Sequence, residues 1–212
     1  MLHGGALFSG ALEVRRARDG SVALAGSFPY GVPAVLSDGG RTGRPRKEII
    51  ESRAFSYRVD REEEDIFLLW GHDFDHALAR KSNGSLSLRD TAAALLFNAK
   101  IPPEVAETSH GRDVIAMIKA GLAIGLSPGF RLPPERAVAD AETIEEEPDD
   151  GSLDDRGQPR RGAIIRRIRA ALLYELSIVS VPAYPETQVE MRRWSVHVPS
   201  GNMMHPLARW RL

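Results

Sequence analysis

The sequence predicts an α+β fold that is mostly β, and three observations lead to this class. The chain of 212 residues is long enough to bury a single core without disulfides or metals. Between about residues 10 and 132, short β-type runs alternate with turn signals, and only two stretches have helical spacing. Strand-like runs return after residue 162. The chain is therefore predicted to be one domain built mainly from short strands.

The strands are predicted from short apolar runs that end at turn residues. They are residues 21–28, 65–71, 85–89, 93–100, 122–132, 163–168 and 171–181, the last two as a hairpin or as neighbouring strands. One helix is expected at residues 47–55, where Ile49 and Ile50 share a face. A second helix is expected at residues 113–121, because apolar residues recur there at helical spacing up to a terminal glycine.

Two segments lack the apolar content of a core element. Residues 133–162 are acidic, rich in proline and glycine, and are predicted to form a mobile loop. Beyond residue 190 the periodicity fades, so residues 191–212 are expected to be a flexible tail. The predicted organisation is one domain over residues 1–190 followed by this tail.

Charge and cysteine content exclude several classes of function. The formal net charge of −1 gives no electrostatic reason to expect binding to nucleic acid or to an anionic membrane. The absence of cysteine excludes disulfides, thiolate metal sites and a cysteine nucleophile. The first short apolar run has its arginines after it, which is the wrong order for a signal peptide, so a soluble cytosolic protein is expected.

The stretch GLSPGF, residues 125–130, matches the G-x-S-x-G pattern of the α/β-hydrolase nucleophile elbow. An elbow needs a helix directly after the serine. Pro128, Gly129 and two further prolines follow instead, so no helix begins there. Ser127 is therefore placed on a strand, either as an ordinary strand serine or as a nucleophile on another fold.

The segment GHDFDH, residues 71–76, follows an apolar strand, where catalytic side chains often lie. It is either a polar loop or the position of a functional histidine, His72. His72, Asp73, Asp75 and His76 are also competent metal ligands. Neighbouring side chains on an extended chain alternate in direction, however, so these four converge only if the loop folds back.

Glu175 is unusual because it lies inside the apolar run LLYELSIVSV. Burying a carboxylate without a partner is costly. Either its face of the strand is exposed at an edge of the sheet, or the carboxylate has a buried partner. A histidine Nδ1–H is the partner that a hydrolytic triad supplies.

Four segments in this order resemble the prohead (capsid-maturation) serine proteases of tailed phages and phage-like gene transfer particles. KEIIESRAFSYRV resembles the early helix of the family, and residues 65–102 resemble its histidine strand and the hairpin strands that follow. GRDVIAMIKAGLAIGLSPGF resembles its helix and serine strand, which has the motif S-x-G-F. The fourth segment is LLYELSIVSVPAYPETQV. The resemblance covers about residues 20–190. Two residues depart from the family pattern. Arg53 stands where the family has glycine. Pro128 follows the serine where a bulky apolar residue is usual, and proline has no N–H with which to stabilise an oxyanion.

The resemblance implies a small antiparallel barrel flanked by a few helices, as in the herpesvirus assemblins. It implies a serine endopeptidase with the triad His72, Ser127 and Glu175, and no cofactor or metal. The implied substrates are the major capsid protein precursor, the scaffold and the protease itself, inside an immature capsid in the bacterial cytoplasm, where the protease can also self-associate. Three alternatives stay open. In the first, Asp73 or Asp75 takes the place of Glu175 in the triad. In the others, the chain is a catalytically inactive structural or scaffold-associated protein of the particle, or a metal-dependent hydrolase that uses GHDFDH.

Overall fold

The computed structural model describes residues 13–40, 43–123, 125–153, 157 and 159–181. In these segments twelve strands form three four-stranded sheets, which three short helices accompany. The mostly β, α+β class is therefore confirmed. No sheet in the described part of the chain closes on itself, so the barrel stays a prediction.

The first sheet is antiparallel throughout. Its strands in spatial order are β1 (Glu13–Arg16), β2 (Val22–Pro29), β8 (Ala94–Ile101) and β7 (Leu86–Asp90). Alternate residues of β8, from Leu95 to Ile101, are buried in the core, as expected for a strand with one covered face. The strands predicted at residues 21–28, 85–89 and 93–100 are thereby confirmed.

The second sheet corrects the position of the first predicted helix. Its strands in spatial order are β10 (Glu142–Glu146), β11 (Ile164–Ile168), β4 (Arg46–Ile50) and β3 (Pro33–Ser37). The expected helix at residues 47–55 was wrong, because β4 occupies its first half and the helix α1 (Ser56–Val59) begins only later. Glu48, Ile49 and Ile50 are all buried. A strand covered on both faces gives a continuous apolar run that cannot be told from a helix by periodicity.

The acidic segment is only partly a loop, since β10 lies within it and pairs with β11. Its carboxylates face a basic neighbour strand: Glu142 and Glu145 accept hydrogen bonds from Arg166 and Arg167 at 2.5 and 2.8 Å. The backbone pairing and these ion pairs order a segment that has little apolar surface. The prediction that the whole of residues 133–162 forms a loop was therefore wrong.

The third sheet contains the strands of Ser127 and Glu175 and the two strands whose connecting turn contains His72. In spatial order these strands are β6 (Asp73–Arg80), β5 (Phe67–Trp70), β12 (Leu172–Val179) and β9 (Gly125–Arg131). β12 runs parallel to β5 and antiparallel to β9. β11 and β12 lie in different sheets, so they are not the predicted hairpin or neighbouring pair. Each instead pairs in parallel with a strand from the first half of the chain, β4 or β5.

The predicted second helix is confirmed as α3 (Ser109–Lys119), preceded by the single turn α2 (Pro103–Ala106). It begins four residues earlier than predicted, because the Thr108 side chain caps it by accepting a hydrogen bond from the Gly111 N–H at 3.1 Å. Val114 and Ile115 are buried. None of the helices in the described part of the chain has the length and apolar content needed to cross a membrane.

A buried polar pair links β7 to the end of β2. The Tyr30 hydroxyl donates to Asp90 Oδ1 at 2.8 Å, and Asp90 is only 5% exposed. Among the described residues, the other carboxylate oxygen, Oδ2, has no hydrogen-bond partner. Burial raises the pKa of the Asp90 carboxyl above its ordinary value of 3.8.

We expect the wild-type chain to lose stability relative to Asp90→Asn as the pH rises above 3.8 towards neutrality. A carboxyl with a raised pKa holds its proton more tightly in the folded state, so deprotonation favours unfolding. Urea unfolding of both proteins at several pH values measures the difference in their unfolding free energies. The replacement of the carboxyl by an amide adds a term that does not depend on pH, so only the change of this difference with pH is compared with the prediction. A difference in unfolding free energy that stays constant, or that moves in favour of the wild type, contradicts the prediction.

Candidate active site

His72 lies in the tight turn that joins β5 to β6. Trp70 and Asp73 pair across this turn, and Gly71 and His72 have φ angles of 68° and 63°. Positive φ at both central residues is typical of a type I′ hairpin turn. Glycine adopts this conformation freely, whereas histidine pays about 1 kcal/mol for it. The turn is anchored to β12, because the His72 N–H donates to Ser177 Oγ at 2.8 Å.

Glu175 is the partner of the His72 imidazole. His72 Nδ1 lies 2.7 Å from Glu175 Oε1, and the glutamate side chain is only 6% exposed, against 44% for the histidine. The second oxygen, Oε2, accepts a hydrogen bond from the Ser177 hydroxyl at 2.7 Å. Of the two alternatives left by the sequence, a buried carboxylate with a partner is therefore the one found. An ionised carboxylate accepts hydrogen bonds only, so Nδ1 carries the proton and Nε2 of the neutral ring is free to act as a base.

Ser127 lies on the same face of the sheet as this pair. In the antiparallel register of β9 and β12, Ser127 is opposite Ser177, and Gly129 is opposite Glu175. Side chains that lie directly opposite in antiparallel strands share a face and lie about 5 Å apart. No hydrogen bond joins Ser127 to His72 within the described part of the chain; in unliganded hydrolases such contacts are often long and tighten when substrate binds.

Gly129 provides the space that the Glu175 carboxylate fills. A Cβ atom at position 129 would lie 1.8 Å from Glu175 Oε1, well inside any allowed contact. Only glycine fits at this point of β9 while Glu175 faces His72. Pro128, in contrast, is paired with Leu176, which is fully buried in the core, on the other face of the sheet.

We expect Gly129→Ala to weaken strongly any hydrolysis that depends on the His72–Glu175 pair, while leaving the chain folded. The added methyl group displaces a side chain rather than backbone, so the Glu175 carboxylate has to swing away from His72. Initial rates for Gly129→Ala, Glu175→Ala and the double variant test this through their coupling. The alanine at position 129 should add no further loss once the carboxylate is absent. Additive losses would show that Gly129 acts by another route.

The remaining polar residues of GHDFDH contact one another and not the His72–Glu175 pair in the described part of the chain. Asp73 Oδ2 lies 3.1 Å from His76 Nδ1, and Asp73 Oδ1 accepts the Asp75 N–H at 2.9 Å. The four candidate ligands do not converge, and in the described ranges no group of three or more His, Asp or Glu side chains is placed to hold a metal ion. In this structure Asp73 therefore contacts His76, and Glu175 contacts His72.

Two residues of this arrangement were missed from the sequence, namely Ser177 and Gly129. Both could have been found from the two-residue period of strands. Ser177 lies two positions after Glu175, and Gly129 lies two positions after Ser127, so each shares a face with its neighbour.

The comparisons with known proteins point to one family. The family model described as caudovirus prohead serine protease matches residues 40–199, well over half of the chain. The matched range contains His72, Ser127 and Glu175. No curated protein and no solved structure matches the chain significantly.

Proposed function

Because this chain belongs to the caudovirus prohead serine proteases, we propose that it is a serine endopeptidase with Ser127 as the nucleophile, His72 as the general base and Glu175 as the residue that orients His72. The single observation that carries these roles is the 2.7 Å contact between His72 Nδ1 and Glu175 Oε1. It leaves Nε2 of His72 as the free basic nitrogen. The strand register supports the choice of Ser127 by placing it on the same face of the sheet.

The proposed reaction proceeds through an ester of Ser127. The Ser127 Oγ attacks the scissile carbonyl carbon while His72 Nε2 takes its proton. The C–N bond then breaks, and the same proton passes to the leaving amine. Water hydrolyses the ester with His72 again acting as base. Glu175 stays ionised throughout and stabilises the imidazolium. Pro128 has no N–H, so the donors to the oxyanion come from other residues.

The proposed substrates are segments of the major capsid protein precursor and of the scaffold. The family to which the chain belongs acts in capsid maturation, and its members cleave capsid proteins inside the procapsid. Confinement with the substrate raises the effective concentration, so weak intrinsic affinity for a cleavage site is sufficient. Self-association inside the immature capsid and self-cleavage in residues 191–212, outside the described residues, belong to the same proposal. A core ending near residue 190 would keep the proposed triad.

A fluorophosphonate probe tests the proposal on the full-length chain. Such probes phosphonylate serines that are activated by a neighbouring base. We expect one labelled site, Ser127, in the wild type and none in His72→Ala. The same experiment should be repeated with assembled particles, because confinement there raises the concentration of the chain and favours any active form that depends on self-association. No labelling of Ser127 in either preparation favours a catalytically inactive structural protein of the particle. Activity lost to a chelator and restored by zinc would instead favour the metal-dependent alternative.

A further inference from the structure

Ser177 connects both partners of the His72–Glu175 pair through one hydroxyl group. Its oxygen accepts the His72 N–H at 2.8 Å, and its proton is donated to Glu175 Oε2 at 2.7 Å. The residue is fully buried. The direction of the hydroxyl proton is fixed, because the backbone N–H can only donate and an ionised carboxylate can only accept.

We infer that Ser177 is a positioning residue for the proposed triad: it holds the His72 turn and the Glu175 carboxylate in register with each other. The effect of Ser177 on the reaction rate rests on the proposed function, whereas its two hydrogen bonds do not depend on that function. Ser177 has no exposed surface with which to contact a substrate.

Two separate contacts make this role necessary. His72 contacts one oxygen of the Glu175 carboxylate, Oε1. The other oxygen, Oε2, is buried and accepts its hydrogen bond from the Ser177 hydroxyl. The His72 turn is held to β12 by the bond to Ser177 and by the Gly71 N–H, which donates to the Ile178 carbonyl at 3.1 Å. Removing the hydroxyl leaves a buried charged oxygen without its donor and frees the residue that carries the base.

The chain contains a matched control for a lost buried hydroxyl. Ser21 is 1% exposed, and its hydroxyl donates to the carboxylate of the residue two positions before it, Asp19, at 2.6 Å. Ser177 donates to Glu175 with the same spacing. Ser21→Ala therefore removes a buried hydroxyl that donates to a carboxylate with the same spacing, in the turn before β2 and away from His72, although Asp19 is exposed where Glu175 is buried.

The test measures the saturation kinetics of Ser127 labelling by a fluorophosphonate in the full-length chain. For Ser177→Ala we expect the maximal labelling rate constant to fall about 10- to 100-fold, with little change in the probe concentration that gives half the maximal rate. Ser21→Ala should keep the wild-type rate constant. Ser177→Cys, which retains a weak donor of similar size, should lie between wild type and Ser177→Ala. The folded fraction of each variant is measured by circular dichroism and the observed rate constant is divided by it, so that partial unfolding is not counted as a loss of reactivity.

A spectroscopic readout separates this inference from the proposed function. The proton on His72 Nδ1, bonded to a carboxylate, should give a strongly downfield ¹H NMR resonance in the wild type and in Ser127→Ala. We expect that resonance to shift or disappear in Ser177→Ala and to stay in Ser21→Ala. An unchanged resonance together with a wild-type labelling rate in Ser177→Ala overturns the inference. If the wild type is not labelled at all, the protease proposal fails, and the resonance alone still decides the role of Ser177.

Discussion

Replacing Ser127 with alanine should abolish proteolysis by this chain, with a loss of at least about ten-thousand-fold. The alanine has no oxygen to form the acyl-enzyme, and the remaining groups bind substrate without a covalent step. The side chain of Ser127 makes no hydrogen bond to another described residue, so the fold does not depend on it. We expect the free energy of unfolding to change by less than about 0.5 kcal/mol.

Two measurements check the Ser127 prediction. Co-expression with the capsid protein precursor of the same particle, followed by mapping of new N-termini, should show cleavage by the wild type and none by Ser127→Ala. Intact-mass measurement after long incubation should show a shortened wild-type chain beside a full-length variant. Ser87→Ala, which changes an exposed serine on β7, is the control and should behave as the wild type. Equal truncation of wild type and Ser127→Ala would trace the cutting to contaminating proteases and remove the evidence for self-cleavage.

Patterns that depend only on neighbours along the chain were predictable from the sequence. The strands β2, β5, β7, β8, β9, β11 and β12 and the helix α3 follow from runs of apolar residues and turn signals. The strand β4 was not predictable in this way, because both of its faces are covered and its apolar run has no period. The strand β10 was missed for a different reason. Its order comes from pairing with Arg166 and Arg167 on β11, which lie more than 20 residues away along the chain.

The site shows the same division between local and distant information. The unusual position of Glu175 in an apolar strand was visible in the sequence, which left two alternatives open; the one found is a buried carboxylate with a partner, His72. The identity of that partner depends on the parallel pairing of β5 with β12, which composition does not reveal. The positive φ of His72 and the space above Gly129 are also properties of the folded sheet alone. At position 53, the glycine of the resembling family did indicate an unusual backbone conformation. The φ of 58° at Arg53 explains why the family has glycine there.

Glu175→Gln should lower the rate of hydrolysis by up to about ten-thousand-fold while preserving the fold. The amide keeps the size of the side chain, and its oxygen can still accept a hydrogen bond from His72 Nδ1. Its NH₂ group can donate to Ser177 Oγ in place of the present bond to Oε2. The negative charge is lost, however, so the imidazolium that forms during proton transfer is no longer stabilised. An amide turned the other way would also select the wrong tautomer of His72.

Asp73→Asn is the matched control for Glu175→Gln, because it removes a second carboxylate next to a histidine in the same segment. Asp73 contacts His76 at 3.1 Å and does not contact His72. Since the Asp73 and His76 side chains are both about half exposed, we expect hydrolysis to change by less than about fivefold. Initial rates on one cleavable peptide, with a parallel Asp75→Asn variant, decide between the three carboxylates. A large loss in Asp73→Asn or Asp75→Asn with none in Glu175→Gln would transfer the orienting role to that aspartate. The 2.7 Å contact between His72 and Glu175 would then be structural only.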